Sequence, residues 1–170
     1  MIKKEIILGI DPSHYVIGFG LIKVDQKIEL LLIEEFFLGR LKKPNSRLKK
    51  IFEKTLSLID AFHPNELAIE APFLGKNIQS MLKLVRAQTG AIAAGLYRNL
   101  SVVEYSPRTV KMALSSKGYA SKKQVYEMLK FFFKFKGENF PKKNFDASDG
   151  LSVAICHFLN KNFPIRRIEG

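Results

Sequence analysis

The stretch Glu5-Ile6-Ile7-Leu8-Gly9-Ile10-Asp11 decides the fold. Its apolar, β-branched run predicts a buried strand, and it ends on a carboxylate. Val16 to Val24 and Ile28 to Phe37 follow across short polar turns and read as two further strands. Connections this short imply an antiparallel meander. From Asn45 to Phe62 the period changes. Leu48, Ile51, Phe52, Thr55, Leu58, Ile59 and Phe62 recur at steps of three and four, which predicts an amphipathic helix capped by Asn45 or Ser46 after Pro44. Leu67 to Glu70 reads as a short strand, Asn77 to Tyr97 as an alanine-rich helix and Ser101 to Tyr105 as a strand. Pro107 opens a short helix, a position where its missing N–H costs nothing. Ser121-Lys122-Lys123-Gln124 has the capping-box pattern and starts a helix through Phe133. Lys134 to Phe145 reads as a basic loop. Asp146 to Leu159 reads as the last helix, with Leu151, Ala154, Ile155 and Phe158 facing inward. Three strands, then helix, strand, helix, strand and helices predict an α/β fold with a mixed five-stranded sheet flanked by helices. One domain is expected over residues 1–160, followed by a loose polar tail, 161–170. No internal repeat, low-complexity segment or linker interrupts it.

The 170 residues are 46% hydrophobic, yet no apolar run approaches the roughly 18–20 residues of a membrane span. The start Met1-Ile2-Lys3-Lys4 is basic, but the apolar run Ile6 to Ile10 is too short for a secretory signal. The expected location is therefore cytoplasmic, with no membrane partner. A single cysteine, Cys156, allows neither an internal disulfide nor a cysteine-based zinc site. Net charge is +12. Between Arg108 and Lys143 there are ten basic residues against two acidic ones, Glu127 and Glu138. One basic helix would be an ordinary solvated face. A band this dense, at pI ≈ 9.8, suits a polyanion such as nucleic acid, because each neutralised phosphate releases a counterion.

Four carboxylates stand out against this background. Asp11 and Glu70 each end an apolar strand, at the edge where open α/β sheets bind ligands. Asp146 and Asp149, three apart at a helix start, lie on one face. Each alone has an ordinary explanation: a turn residue, or an acid favoured by the helix macrodipole. Together, if strands and helix converge, they would repel strongly unless divalent cations bind. Oxygen-only ligands select hard ions such as Mg²⁺ or Mn²⁺, and two such ions about 4 Å apart clamp the oxygens of a phosphodiester. His157 shares the stripe of Asp149 but lies about 12 Å further along the helix, so it reads as structural. His14 and His63 have no evident partner.

These residues resemble a known family over about residues 5 to 160. Leu8-Gly9-Ile10-Asp11-Pro12 with Gly18-Phe19-Gly20 forms a first block. Ala68-Ile69-Glu70-Ala71-Pro72-Phe73, Gly75-Lys76-Asn77, Ser80 and Lys83-Leu84 form a second. Glu104-Tyr105-Ser106-Pro107-Arg108, Val110-Lys111 and Gly118-Tyr119-Ala120-Ser121-Lys122-Lys123-Gln124-Val125 form a third. Asp146-Ala147-Ser148-Asp149-Gly150-Leu151-Ser152-Val153-Ala154 forms a fourth. In this order and spacing the chain resembles the RuvC family of bacterial Holliday-junction resolvases. The resemblance implies a ribonuclease-H-like fold, a homodimer and Mg²⁺-dependent paired nicks in four-way junction DNA with 5′-phosphate products, serving recombination and repair. It implies two metal ions per active site, Mg²⁺ or alternatively Mn²⁺. Asp11, Glu70, Asp146 and Asp149 match the catalytic, metal-binding acids. Phe73, Lys76, Lys83, Arg108, Lys111 and Lys122 are the implied DNA contacts. The helix from about Asn77 would supply the dimer contact, and a RuvA–RuvB branch-migration complex the further partner. Ser13 stands where the family often has glycine, as do Val85 and Thr89 in the interface helix. These departures touch the first turn and the closeness of helix approach, not the chemistry.

Three other readings compete. Another ribonuclease-H-like nuclease, acting on RNA–DNA hybrid or on branched or plain duplex, would use the same acids. A DNA-binding module without catalysis would have no use for acids that repel phosphate. An actin-like ATPase shares a Gly-Ile-Asp opening but needs two lobes and a second glycine-rich phosphate loop, which this sequence does not contain.

Overall fold

The structure, a computed structural model, describes residues 4–13, 15–39, 43–73, 77–133 and 145–163, with the backbone alone for 145 and 146. In chain order the elements are β1 (Glu5–Pro12), β2 (Val16–Val24), β3 (Ile28–Phe37), α1 (Pro44–Phe62), β4 (Glu66–Glu70), α2 (Ile78–Tyr97), β5 (Ser101–Tyr105), α3 (Pro107–Ser115), α4 (Lys122–Phe132) and α5 (Phe145–Asn162). The sheet runs β3-β2-β1-β4-β5. The first three strands pair antiparallel, while β4 is parallel to β1 and β5 to β4, giving the expected mixed five-stranded sheet.

Strand alternation sorts the core onto two faces. On one, Ile7, Ile22 and Ala68 pack with Val110, Leu114, Val125, Leu129, Leu151 and Ala154 from α3, α4 and α5. On the other, Leu8, Ile10, Phe19, Leu21, Leu67 and Ile69 pack with Ile51, Leu58 and Ile59 of α1 and Ala87, Ala91 and Ala94 of α2. A strand covered on both faces has no solvated side, which is why β1 reads as a continuous apolar run.

Helix α5 comes unusually near the sheet. Gly9 and Gly20 face each other across β1 and β2. A Cβ on Gly9 would lie 2.3 Å from the Gly150 carbonyl oxygen, and one on Gly20 would lie 2.3 Å from the Leu151 Cα. The missing side chains let the helix sit on the strands.

Several boundaries differ from the sequence reading. Helix α1 starts at Pro44 with Lys43 as a cap that makes no side-chain bond. The proline takes the first helical position, so Asn45 and Ser46 fall inside the first turn. Asn77 caps α2 by accepting from the Ser80 N–H at 3.2 Å. Helix α5 continues to Asn162 rather than stopping at Leu159. Lys161, expected in a loose tail, instead reaches Glu5 at 2.5 Å and Glu66 at 2.6 Å. The basic loop expected from Lys134 lies outside the described residues as far as residue 144; Phe145 already opens α5.

Candidate active site at the carboxyl edge of the sheet

Parallel pairing of β1 with β4 ends at Ile10 opposite Ile69. Asp11 and Glu70 are the next residue of each strand, so the register itself brings them side by side. The first turn of α5 is drawn over the same edge by the glycine contacts and carries Asp149 there. Asp11, Glu70 and Asp149 line one cleft of about 190 Å³ together with Lys111 of α3 and Lys122 of α4. Pro107, Val110, Val125 and Ser152 complete its wall. Asp146 is the second residue of α5; its side chain lies outside the described residues.

Charge in this cleft is unbalanced. Burial, then repulsion from Asp149, push the Glu70 carboxyl up to about 7, against the pull of Lys111 and Lys122. Lys122 Nζ lies 2.6 Å from Asp149 Oδ2. Among the described residues no three acidic, imidazole or thiol groups form a closed metal-binding cluster. The donor chemistry still fits a hard cation: three carboxylates share one cleft, and Glu70 is pushed toward its protonated form by burial and then by the charge of Asp149, both of which a bound cation would offset.

Of the implied DNA contacts among the described residues, Lys111 and Lys122 line this cleft and the others do not. Phe73, three residues past Glu70, is 68% exposed, so it is not a core phenylalanine. Arg108 is exposed in the first turn of α3. Lys83 is exposed on α2 and lines a second groove of about 530 Å³ with Tyr15, Arg47 and Arg86, none of which the sequence reading named. In that groove the Arg47 guanidinium sits 5.5 Å from the centre of the Tyr15 ring. Lys76 and His14 lie outside the described residues. His157 is structural: it is buried, bonds Tyr105 through Nδ1 at 2.8 Å, and contacts Glu66 through Nε2. His63 ends α1 in the left-handed conformation.

Comparison with known proteins matches this geometry to a family. The family model described as "Crossover junction endodeoxyribonuclease RuvC" matches residues 7–157. The curated protein of that name from Christiangramia forsetii is 51% identical over 158 residues, covering 92% of this chain and 81% of the relative. The one from Bacteroides fragilis is 44% identical over 165 residues, covering 96% and 87%. Among solved structures, T. thermophilus RuvC in complex with Holliday junction substrate superposes with a TM-score of 0.80 at 22% identity, covering 94% of this chain and 96% of that one. The yeast mitochondrial Holliday junction resolvase superposes with a TM-score of 0.63 at 16% identity, covering 88% and 77%. The shared fold is ribonuclease-H-like. With its family model spanning all four sequence blocks, this chain belongs to the RuvC family.

Proposed function

We propose that this protein is a structure-selective endodeoxyribonuclease that resolves four-way (Holliday) DNA junctions by paired symmetric nicks, leaving 5′-phosphate ends. The observation that carries this reading is the cleft itself: Asp11, Glu70 and Asp149 meet Lys111 and Lys122 at the strand edge of a RuvC-family fold. Its activity is assigned to a single domain that runs through the end of α5 at Asn162, acting in the cytoplasm. Among the described residues no helix is long and apolar enough to cross a membrane.

Asp11, Glu70, Asp146 and Asp149 would hold the metal, which we take as two Mg²⁺ ions, with Mn²⁺ as a substitute. When bound, such ions supply an activated water and neutralise charge developing on the phosphodiester. The chain's own residues do the rest. Lys111 and Lys122 present ammonium groups to the phosphates beside the cut. Lys122, held on Asp149 without substrate, can exchange that carboxylate for a phosphate oxygen, because both are anionic acceptors within reach of the same flexible stem. The exposed Phe73 ring leaves the strand end next to Glu70 and offers a face to an unpaired base at the junction centre. Lys83 and Arg108 extend the positive surface along the arms; Lys76, outside the described residues, is assigned the same role.

Two equivalent strands must be cut, and one chain has acids for one site. A two-fold homodimer supplies the second. Helix α2 fits this role: Ile78, Leu82, Val85 and Leu96 are exposed and share one stripe with Thr89 and the half-buried Ile92. Val85 and Thr89, bulkier than glycine, stand in the middle of that stripe. A RuvA–RuvB branch-migration complex is the further partner that this reading assigns.

The deciding experiment incubates the protein with a synthetic four-way junction, a linear duplex and an RNA–DNA hybrid, with and without Mg²⁺. Paired nicks confined to the junction and dependent on Mg²⁺ are expected. Preferential cutting of the hybrid would replace this reading with a general ribonuclease-H-like nuclease.

A further inference from the structure

A fifth carboxylate stands in the same row as the strand acids. Glu35 of β3 pairs with Gly18 of β2, and Gly18 pairs with Asp11 of β1. Directly paired residues share a sheet face, so Glu35, Gly18 and Asp11 all point toward α5. Gly18 has no side chain to stand between the two acids and the helix above them. Glu35 Oε1 accepts the backbone N–H of Ala147 at 3.3 Å. Ala147 lies in the first turn of α5, between Asp146 and Asp149. Glu35 is half-buried and does not line the cleft.

From this geometry we propose that Glu35 is a positioning residue of the nuclease site: by binding the Ala147 N–H it fixes the first turn of α5 and so sets where Asp146 and Asp149 stand. This rests on the nuclease reading above. The physical case has two parts. The first N–H groups of a helix have no partner within it, and an acceptor fixed on a strand satisfies one of them while choosing the helix's height over the sheet. A carboxylate there also meets the positive end of the helix dipole. The site's own acids act the other way, since Asp149 and Glu70 repel and would push the turn off the edge. Glu35 adds negative charge to a crowded region, so its value lies in the bond it accepts rather than in its charge. An amide oxygen at the same place should therefore serve as well.

The test compares Glu35→Ala with Glu35→Gln, using three readouts. These are amide exchange of residues 145–149 in metal-free protein, Mn²⁺ binding by titration calorimetry, and kcat and KM on a four-way junction. For Glu35→Ala, loss of one hydrogen bond to the helix terminus predicts exchange of the first turn faster by about tenfold, Mn²⁺ binding weaker by about tenfold, and kcat lower by a similar factor with KM unchanged. Glu35→Gln should stay within about twofold of the parent in all three, since it keeps the acceptor. If Glu35→Gln is damaged as much as Glu35→Ala, the residue acts through its charge, as a ligand would, and the proposal fails. It fails equally if Glu35→Ala lowers the melting temperature but leaves exchange at 145–149 and Mn²⁺ binding unchanged. Should the parent protein cut no junction at all, the nuclease reading falls, while exchange and Mn²⁺ binding still decide the role of Glu35.

Discussion

Lys122 Nζ lies 2.6 Å from Asp149 Oδ2, joining the first residue of α4 to the first turns of α5 across the cleft. A cation at a helix N-terminus opposes the macrodipole. Here the capping box of Ser121 and Gln124 fixes that terminus, and the partner acid offsets the dipole. The side chain is 56% exposed, so the pair adds little stability. In the proposed nuclease its value is in function: it would keep a positive group beside the acids, ready for a phosphate. Lys122→Met should lower cutting by about tenfold or more and reduce the slope of log binding constant against log salt by about one. Its melting temperature should stay within about 2 °C of the parent's. An unchanged salt slope with unchanged cutting would remove Lys122 from the DNA surface.

Glu70 costs the metal-free fold stability at neutral pH. Its carboxyl is raised to about 7 by burial and by Asp149, while the unfolded chain titrates near 4.5. Between those values the folded state binds more protons than the unfolded state, so in metal-free protein this group makes stability fall as pH rises from about 4.5 to about 7. Glu70→Gln removes that loss. Denaturant melts at pH 8 without metal should show the variant about 2 kcal/mol more stable than the parent, with the gap closing near pH 4.5. Cutting should fall by a factor of about 100 or more. Normal turnover in Glu70→Gln would refute the site.

At the opposite edge of the sheet the sign reverses. Burial raises the Glu66 carboxyl, but hydrogen bonds from Lys161 and His157 and their charges outweigh it and hold the group below its ordinary value. That contribution is present above the unfolded carboxylate range and is lost as pH falls through the depressed value. Lys161 also neutralises Glu5, whose side chain is 5% exposed. Lys161→Met removes the cation from Glu5 and leaves Glu66 with His157 alone. It should cost about 2–3 kcal/mol at pH 7, less than a fully buried pair, because the lysine is 38% exposed. The Glu66 share of that cost should shrink as pH falls through the depressed Glu66 value and its carboxylate protonates. A cost that does not vary with pH would assign the effect to packing instead.

Gly20 tests whether the approach of α5 places the acids. An added methyl would meet the Leu151 Cα at 2.3 Å and its nitrogen at 2.4 Å. These are backbone atoms, so the helix must move. Gly20→Ala should destabilise by about 1–3 kcal/mol. It should also cut activity by up to about 100-fold through misplacement of Asp149, with junction binding largely kept. Full activity in a destabilised variant would show that the acids do not depend on helix height.

The parts of this molecule legible in its sequence are those set by neighbours along the chain. The alternation of β1 and β2, the Ser121 capping box and the carboxylates that end strands all follow from local pattern. The faces assigned to Leu151, Ala154, Ile155 and Phe158 were read from helical spacing, and all four are buried. What escaped depends on partners far away in sequence. Glu34 and Glu35 are adjacent acids with nothing local to distinguish them. Folding sends Glu34 to Lys54 at 2.7 Å on the α1 side and Glu35 to Ala147, 112 residues on, on the α5 side. Lys161 looked like tail because its partners, Glu5 and Glu66, lie in strands remote in sequence. The cap of α1 was misplaced because Pro44 took the first helical position from which Asn45 would have been excluded only by knowing where the helix begins. Lys111 and Lys122 carry no signal of their own among many lysines. The family resemblance singled them out, and the structure puts both in the cleft.

The last prediction concerns α2. Ile78, Leu82, Val85, Thr89, Ile92 and Leu96 follow one another at alternating steps of four and three, the spacing of a seam between two helices. Ile78 is 67%, Leu82 44% and Leu96 58% exposed, while the alanines that pack on the sheet, Ala87, Ala91 and Ala94, occupy another face. An apolar seam left mostly outside the core is what the proposed dimer surface requires. Leu82→Glu should therefore fold with nearly the parent's melting temperature, because the side chain is not part of the core, but should sediment as a monomer. On a supercoiled plasmid with an extruded cruciform the parent should give linear product, since two linked sites cut both strands before the junction is lost. Leu82→Glu should give nicked circles, each from a single site acting alone, and a mixed dimer with one Asp11→Asn subunit should do the same. A parent protein that sediments as a monomer on the junction, or yields only nicked circles at saturating enzyme, would overturn the paired-cut mechanism while leaving the single-site chemistry standing.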